Sequence, residues 1–399
     1  MKTMVPLNAD TFGSEEKKAV QDVINGGNYT MGDRCRRFER RFADYVGADH
    51  AVMVNSGSSA NLIALSVLAD PHCPKLGRKQ RIEPKAEVIV PALTWSTTIW
   101  PVIQMGCIPV FVDCDPDTMQ MRPEDIEAAI DSNTRAIVIV HVLGGAADIS
   151  SIKEIADRHG LWLVEDTCES LGVRWQEKFV GTFGEFGTFS FFFSHHISTI
   201  EGGMVVTNDH DLAELARAQR AHGWIRHMED RDKWTRKYPD IDPRYLFITT
   251  GYNVRPTEIA GAIGLVQIER LEGFNESRRD LAARINRGLA PLVSRGDLRL
   301  VQYPQDCAPA PFGYVVRCRD KETRNQFGAH LEAHGIETRP VICGNMARQP
   351  AMHNFQHRTS GSLAGADEMM DCGLYWGVHP MMSSAEIDHV VGVVKGYFR

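Results

Sequence analysis

Four short segments of this chain carry side chains that could do chemistry together. The first, "FSFFFSHHISTIEGG", runs from Phe189 to Gly203 and drives an aromatic strand into two histidines and a glycine turn. His195 and His196 are adjacent, so on an extended chain they point to opposite sides. As a pair they make poor ligands for one metal, and no further His, Cys or carboxylate stands at a recognisable metal-ligand spacing. No metal site is expected. A strand-end base and a satisfied buried imidazole are the readings that remain. The second segment, "LVEDTCESLG" (Leu163 to Gly172), ends an apolar run in acids. Asp166 there either meets a cationic or hydrogen-bonding partner in a site or caps a following helix. The third, "NSGSSANLIAL" (Asn55 to Leu65), places a Ser/Gly turn at the start of a helical pattern. Gly57 and Ser58 can hold an anion on free N–H groups, or the turn is a plain helix cap. The fourth, "PALTWSTT", puts Trp95 just past another strand, either stacked on a flat ring or packed in the core.

Something must bring these segments to one place, and the hydrophobic pattern supplies it. Seven apolar runs between about 50 and 210 alternate with helical stretches such as Pro123–Ile130 and Ile149–His159. Several runs are continuous in Val and Ile rather than alternating, as strands buried on both faces of a mostly parallel sheet are. In such α/β sheets ligands sit beyond the carboxyl ends of the strands, where all four segments fall. Past about 210 the pattern turns helical, with a polar stretch, "HMEDRDKWTRKYPDIDPRYL", read as a loop. A long helix from "RPTEIAGAIGLVQIERL" to "RGLA" then leads to a smaller α+β region with strands in "PFGYVVRC" and "IETRPVI" and a final helix. The expected division is a large cofactor-binding α/β domain over 1–250, and a linking helix with a small C-terminal α+β domain over 251–399.

Bulk properties narrow the function classes. A formal net charge of −7 argues against general nucleic-acid binding, which needs a basic surface. No apolar run has the length of a membrane span, and the first residues lack a secretion-signal core, so the cytoplasm is the expected compartment. The nine cysteines are scattered, with no C-x-C or C-x-x-C pair, which excludes the common zinc and iron–sulfur spacings.

Taken in order, these segments resemble the sugar aminotransferase family of pyridoxal-phosphate enzymes, the DegT/DnrJ/EryC1/StrS type. The resemblance spans nearly the whole chain, from "GNYTMGDRCRRFERRFADYVGADHAVMVNSGSSANLIAL" to "GYNVRPTEIAGAIGLVQIERL". It implies the fold type I transferase architecture, with a mostly parallel seven-stranded sheet. It further implies that Gly57, Ser58 and Ser190 bind the cofactor phosphate, with Asn253 reaching in from a neighbouring subunit of a homodimer with shared active sites. Trp95 would stack on the pyridine ring, Asp166 would pair with its nitrogen, and Glu169 stands where the family usually has Gln or His near the ring hydroxyl.

One position departs from the family pattern. Five residues after Ser190, where aminotransferases of this family carry the cofactor-bonding lysine, stands His195. Histidine has no primary amine, so pyridoxal 5′-phosphate or pyridoxamine 5′-phosphate would be held noncovalently, and His195 would move protons. The change resembles the 3-dehydratase subgroup acting on nucleotide-linked 4-keto-6-deoxy sugars. The missing C-x-C argues against the kind that carries an iron–sulfur cluster and for the kind that uses L-glutamate to restore the amine form. Partners expected on this basis are a nucleotide sugar and L-glutamate, with no nucleic acid and no membrane. Arg226, Arg231 and Arg236 are candidates for the diphosphate, or simply a solvated charge run. His196 has no assigned role and is expected to be structural.

Overall fold

The computed structural model describes residues 4–399. Seven strands form the body of the main sheet: β1 (His50–Val54), β2 (Glu87–Pro91), β3 (Ile108–Val112), β4 (Thr134–Val140), β5 (Trp162–Asp166), β6 (Phe186–Ser190) and β7 (Gly203–Thr207). Their order across the sheet is 1-7-6-5-4-2-3. Only β7 runs against the others, pairing antiparallel with both β1 and β6. An eighth strand, the two residues Arg358–Thr359, joins the β3 edge in parallel. The sequence reading lacks it because two residues carry no periodicity; Arg358 is held there by a two-pronged hydrogen bond to Glu87.

Strand alternation explains the layers. Val88 and Val90 of β2 face one side, packed with Ile63 and Leu68 of helix Gly57–Leu68, while Ile89 faces the other, packed with Ile126 and Ile152. β4 repeats the division, with Val138 on the first side and Ile137 and Ile139 on the second. The sheet is thus covered on both faces, which its continuous Val/Ile strands require. A separate core gathers Leu281, Leu289, Phe327, Trp376 and Val390, and the N-terminal Val5 joins it. Around it a four-stranded antiparallel sheet orders Arg299–Leu300, Gly313–Arg317, Gly373–Gly377 and Thr338–Pro340. Gly373–Gly377 escapes sequence reading because it is only five residues long and bounded by glycines.

Two expectations need correction. The stretch read as a loop holds a helix, Arg231–Lys237, because Trp234 is buried against Ile225, Met228 and Leu246 in a small core of its own. The single long helix is two, Glu258–Gln267 and Leu271–Arg295, joined by a tighter turn at Ile268–Arg270.

Glu165 and Asp166 close β5 on opposite sides. Glu165 is fully buried, and its two oxygens accept from the backbone N–H groups of Gly181, Phe183 and Gly184, each at 2.7 Å, and from His141 Nε2 at 3.1 Å. This carboxylate ties the 181–184 loop to the sheet. Glu165→Ala would strand those donors without access to water. It is expected to cost about 3–5 kcal/mol, read as a lower urea midpoint at unchanged slope.

Candidate active site

The carboxyl ends of β1, β2, β4, β5 and β6 open into a cavity of about 720 Å³. Gly57, Ser58, Trp95, Asp166, Glu169, Ser190 and His195 all line it. The seven residues come from four separate segments, and the sheet alone brings them together. Phe312, Arg339 and Tyr375 close the cavity from the C-terminal part of the chain, and Leu7 and Asn8 from the N-terminal part. Asn253 is exposed and does not join the cavity of its own chain.

The anion-binding character of the third segment is built by packing. Ser56 caps helix Gly57–Leu68 through its hydroxyl, which accepts from Ser59 N. The N–H groups of Gly57 and Ser58 stay free of acceptors among the described residues, as first-turn amides do. Gly57 has no room for a side chain. A Cβ there would lie 2.5 Å from Ser190 Cβ and 2.8 Å from Cys168 Sγ. Ser190 is buried beside this turn, and Ser58 donates to Thr97 Oγ1 at 3.0 Å.

Asp166 is held by groups the sequence reading missed. Its Oδ2 accepts from Asn61 Nδ2 at 2.7 Å and Thr98 Oγ1 at 2.8 Å, and its Oδ1 from Cys168 N at 3.2 Å. Asn61 is oriented in turn by Thr188, whose hydroxyl donates to Asn61 Oδ1 at 2.6 Å. The available signal was spacing: Asn61 lies one helical turn after Gly57, and Thr98 three residues past Trp95. Trp95 is 55% exposed, an unusual state for a tryptophan outside a binding surface. Glu169 accepts from Leu143 N at 3.1 Å. Burial pushes its carboxyl up to about 7, and nearby Asp166 adds to the rise.

His195 is positioned by one bond that also fixes its chemistry. Its Nδ1 lies 2.6 Å from the Cys168 carbonyl oxygen, which can only accept, so Nδ1 carries the proton. Nε2 is left as the basic nitrogen. The ring packs edge-on to Phe312 and Phe192, so protein surrounds it even though part of its surface opens to the cavity. Its pKa is lowered to about 4, chiefly by this enclosure and in small part by the charge on Arg278, against the opposing pull of the Cys168 carbonyl and Asp166. His196 turns away, buried, with Nε2 donating to the Ala310 carbonyl at 2.9 Å. The two histidines therefore share no ligand. The trio with metal-ligand spacing among the described residues, His210, Glu214 and Asp230, lies outside the cavity. Arg231 and Arg236 lie on the Arg231–Lys237 helix and do not reach the cavity, and Arg226 is also absent from its wall.

An α/β sheet of this order, with a strand-end carboxylate, an anion turn and an aromatic wall at one edge, defines a pyridoxal-phosphate-dependent protein of the aminotransferase fold. Residues 10–395 match the DegT/DnrJ/EryC1/StrS aminotransferase family, and the chain belongs to it. It is 35% identical over 394 residues to a GDP-4-keto-6-deoxy-D-mannose 3-dehydratase of Yersinia pseudotuberculosis, covering 98% of each chain. It is 37% identical to a dTDP-4-dehydro-2,6-dideoxy-D-glucose 3-dehydratase of Saccharopolyspora spinosa, covering 98% of this chain and 85% of that one. A crystal structure of GDP-4-keto-6-deoxymannose-3-dehydratase with a trapped PLP-glutamate geminal diamine superposes with a TM-score of 0.87. The two are 32% identical, over 98% of this chain and all of that one.

The cavity fits pyridoxal 5′-phosphate on its own evidence, namely two unclaimed amides at a turn where only glycine fits and a buried carboxylate opposite. Gly57→Ala should push that turn off Ser190 and Cys168. The expected result is at least about a tenfold weaker hold on the cofactor, measured by titrating the protein with pyridoxal 5′-phosphate and following fluorescence.

Proposed function

We propose that this protein removes the C3 hydroxyl of a nucleotide-linked 4-keto-6-deoxy hexose, such as GDP-4-keto-6-deoxy-D-mannose, with L-glutamate restoring the amine form of the cofactor. The observation that carries this reading is His195. It stands at the strand end with Nε2 free, and no lysine lines the cavity among the described residues. A cavity without a lysine offers no amine to hold the cofactor covalently, so it favours loss of water over simple amino transfer.

When bound, pyridoxamine 5′-phosphate supplies an amine for the C4 ketone and a ring that accepts electrons. The chain's own residues do the rest. The amides of Gly57 and Ser58 and the hydroxyl of Ser190 would hold the phosphate, and Asn253 of a second copy would complete that site. Asp166, kept in place by Asn61 and Thr98, would pair with the pyridine nitrogen and favour its protonated form. Trp95 would cover the ring, and Glu169 would stand near the ring hydroxyl. His195 Nε2 takes a proton from carbon and delivers it to the departing C3 hydroxyl, which leaves as water. In the glutamate half-reaction the same nitrogen would take the α-proton of L-glutamate and deliver a proton to the cofactor's carbon, as 2-oxoglutarate is released. A neutral imidazole is needed to begin each cycle, and the low pKa keeps it neutral.

Three outcomes test the reading. The holoenzyme with GDP-4-keto-6-deoxy-D-mannose and L-glutamate should give a 3-deoxy sugar, seen by mass as the loss of one oxygen, together with 2-oxoglutarate. A 4-amino sugar in its place would establish amino transfer. His195→Lys should make the cofactor fixable to the protein by borohydride and suppress dehydration; undiminished dehydration would remove His195 from the mechanism. The pH profile of kcat/KM should stay level on the acid side down to about 5 and fall as Nε2 gains a proton near 4. An acid limb centred at about 6.5, the ordinary histidine value, would contradict the assignment.

A further inference from the structure

His196 and Arg278 take no part in the chemistry above, yet both are buried and both end on the same short stretch of chain. His196 Nε2 donates to the Ala310 carbonyl at 2.9 Å. Arg278, on the Leu271–Arg295 helix, donates from Nη1 to the Pro311 and Phe312 carbonyls, each at 3.3 Å. Two side chains thus take three successive carbonyls. The opposite edge of the stretch is held by the backbone, with Ala310 N donating to the Gly144 carbonyl at 3.0 Å and Phe312 N to the Leu143 carbonyl at 3.3 Å. Between them Pro311 has no N–H to give. The seat is close: a Cβ on Gly144 would lie 2.0 Å from the Ala310 oxygen.

A buried guanidinium is a costly clamp. Arg278 has no carboxylate partner among the described residues, and its Nε is bonded to nothing in the protein. Burial pushes its pKa down to about 10, which leaves it charged near neutrality. Packing alone does not call for an ion in such a place, where an apolar side chain of similar volume is often at least as stable.

What the clamp fixes is Phe312. Its ring lies edge-on to His195, with centroids 5.1 Å apart, and tilted over His196 at 5.7 Å. The other aromatic neighbour, Phe192, is exposed on the same loop as His195. Phe312 is therefore the wall that reaches His195 from outside its loop, and its place follows the 310–312 backbone. The charges nearby pull against a neutral imidazole. Asp166 and Glu169 follow β5, and Glu201 lies on the loop of His195 itself. Arg339 is already bonded to Glu337 at 2.9 Å. The Cys168 thiol and the Tyr375 hydroxyl at the same wall are both pushed up by burial, and so stay neutral. Carboxylates favour the imidazolium, so enclosure must outweigh them, with the charge of Arg278 as a smaller help.

We infer that His196 and Arg278 are positioning residues for His195: by holding the 310–312 backbone from its carbonyl edge they keep Phe312 against the imidazole and water away from it. The inference rests on His195 as the base in the reading above. It gives the tandem histidines separate work on one wall. His195 moves the proton, and His196 fixes the ring that keeps its neighbour neutral.

The test is an NMR titration of the histidine rings in the holoenzyme loaded with pyridoxamine 5′-phosphate, with the His195 signal assigned by its loss in H195N. In the wild type that signal should hold still from pH 8 down to about 5. H196L removes the donor to Ala310 and F312A removes the ring. Each should raise the His195 midpoint by about one unit or more, a tenfold tighter hold on the proton. R278M should do the same. H196Q, whose amide can still donate to Ala310, should titrate as the wild type does. The acid limb of kcat/KM should move with the NMR midpoint. Phe312 is only half-buried, so F312A still decides if a buried clamp variant does not fold. A midpoint unmoved in F312A, or one raised equally in H196L and H196Q, would overturn the inference while leaving dehydration standing. Midpoints that shift as expected, in an enzyme that forms no 3-deoxy product, would retain the positioning role and overturn the proposed reaction.

Discussion

Two consecutive carboxylates at the end of one buried strand set the terms for everything around them. Neither can be left in an apolar core without donors. Strand geometry sends Glu165 to one face and Asp166 to the other. Glu165 collects three backbone amides and His141, and so fixes the loop that closes one side of the sheet. Asp166 collects Asn61, Thr98 and a backbone amide on the side that opens to the cavity. One strand end thus anchors the scaffold with one acid and presents the other as a fixed negative charge.

The same economy places the base. Cys168 lies two residues past Asp166, and its carbonyl takes the proton on His195 Nδ1. The loop from Phe191 to Gly202 is pinned to β6 by Phe191 N to the Gly202 carbonyl and Thr199 N to the Phe191 carbonyl, both at 2.9 Å. His195 therefore meets Cys168 from a fixed direction. The acid and the base are placed by the turns after neighbouring strands, so their separation is as rigid as the pairing of β5 with β6.

Much of this was legible in the chain because the relevant signals are local. Continuous Val/Ile runs announced buried parallel strands, and strand-end positions put Asp166, Trp95, Ser190 and His195 at one edge of the sheet, with their roles supplied only by the family resemblance. What escaped depends on contacts distant in sequence. Asn61 and Thr98 read as ordinary helix residues until β5 is laid beside them. The Arg231–Lys237 helix read as loop because its charges outnumber its apolar residues, and only the docking of Trp234 makes it fold back. His196 gained a bond to Ala310 but no chemistry.

The histidine at the lysine position has a consequence beyond the reaction. A protein that bonds its cofactor to a side chain keeps it through many cycles whatever the surroundings contain. Held through the residues proposed above, the cofactor would be retained only by amides, hydroxyls, one carboxylate and an aromatic face, so its occupancy would follow mass action. The working fraction of the enzyme would then rise and fall with the free cofactor around it.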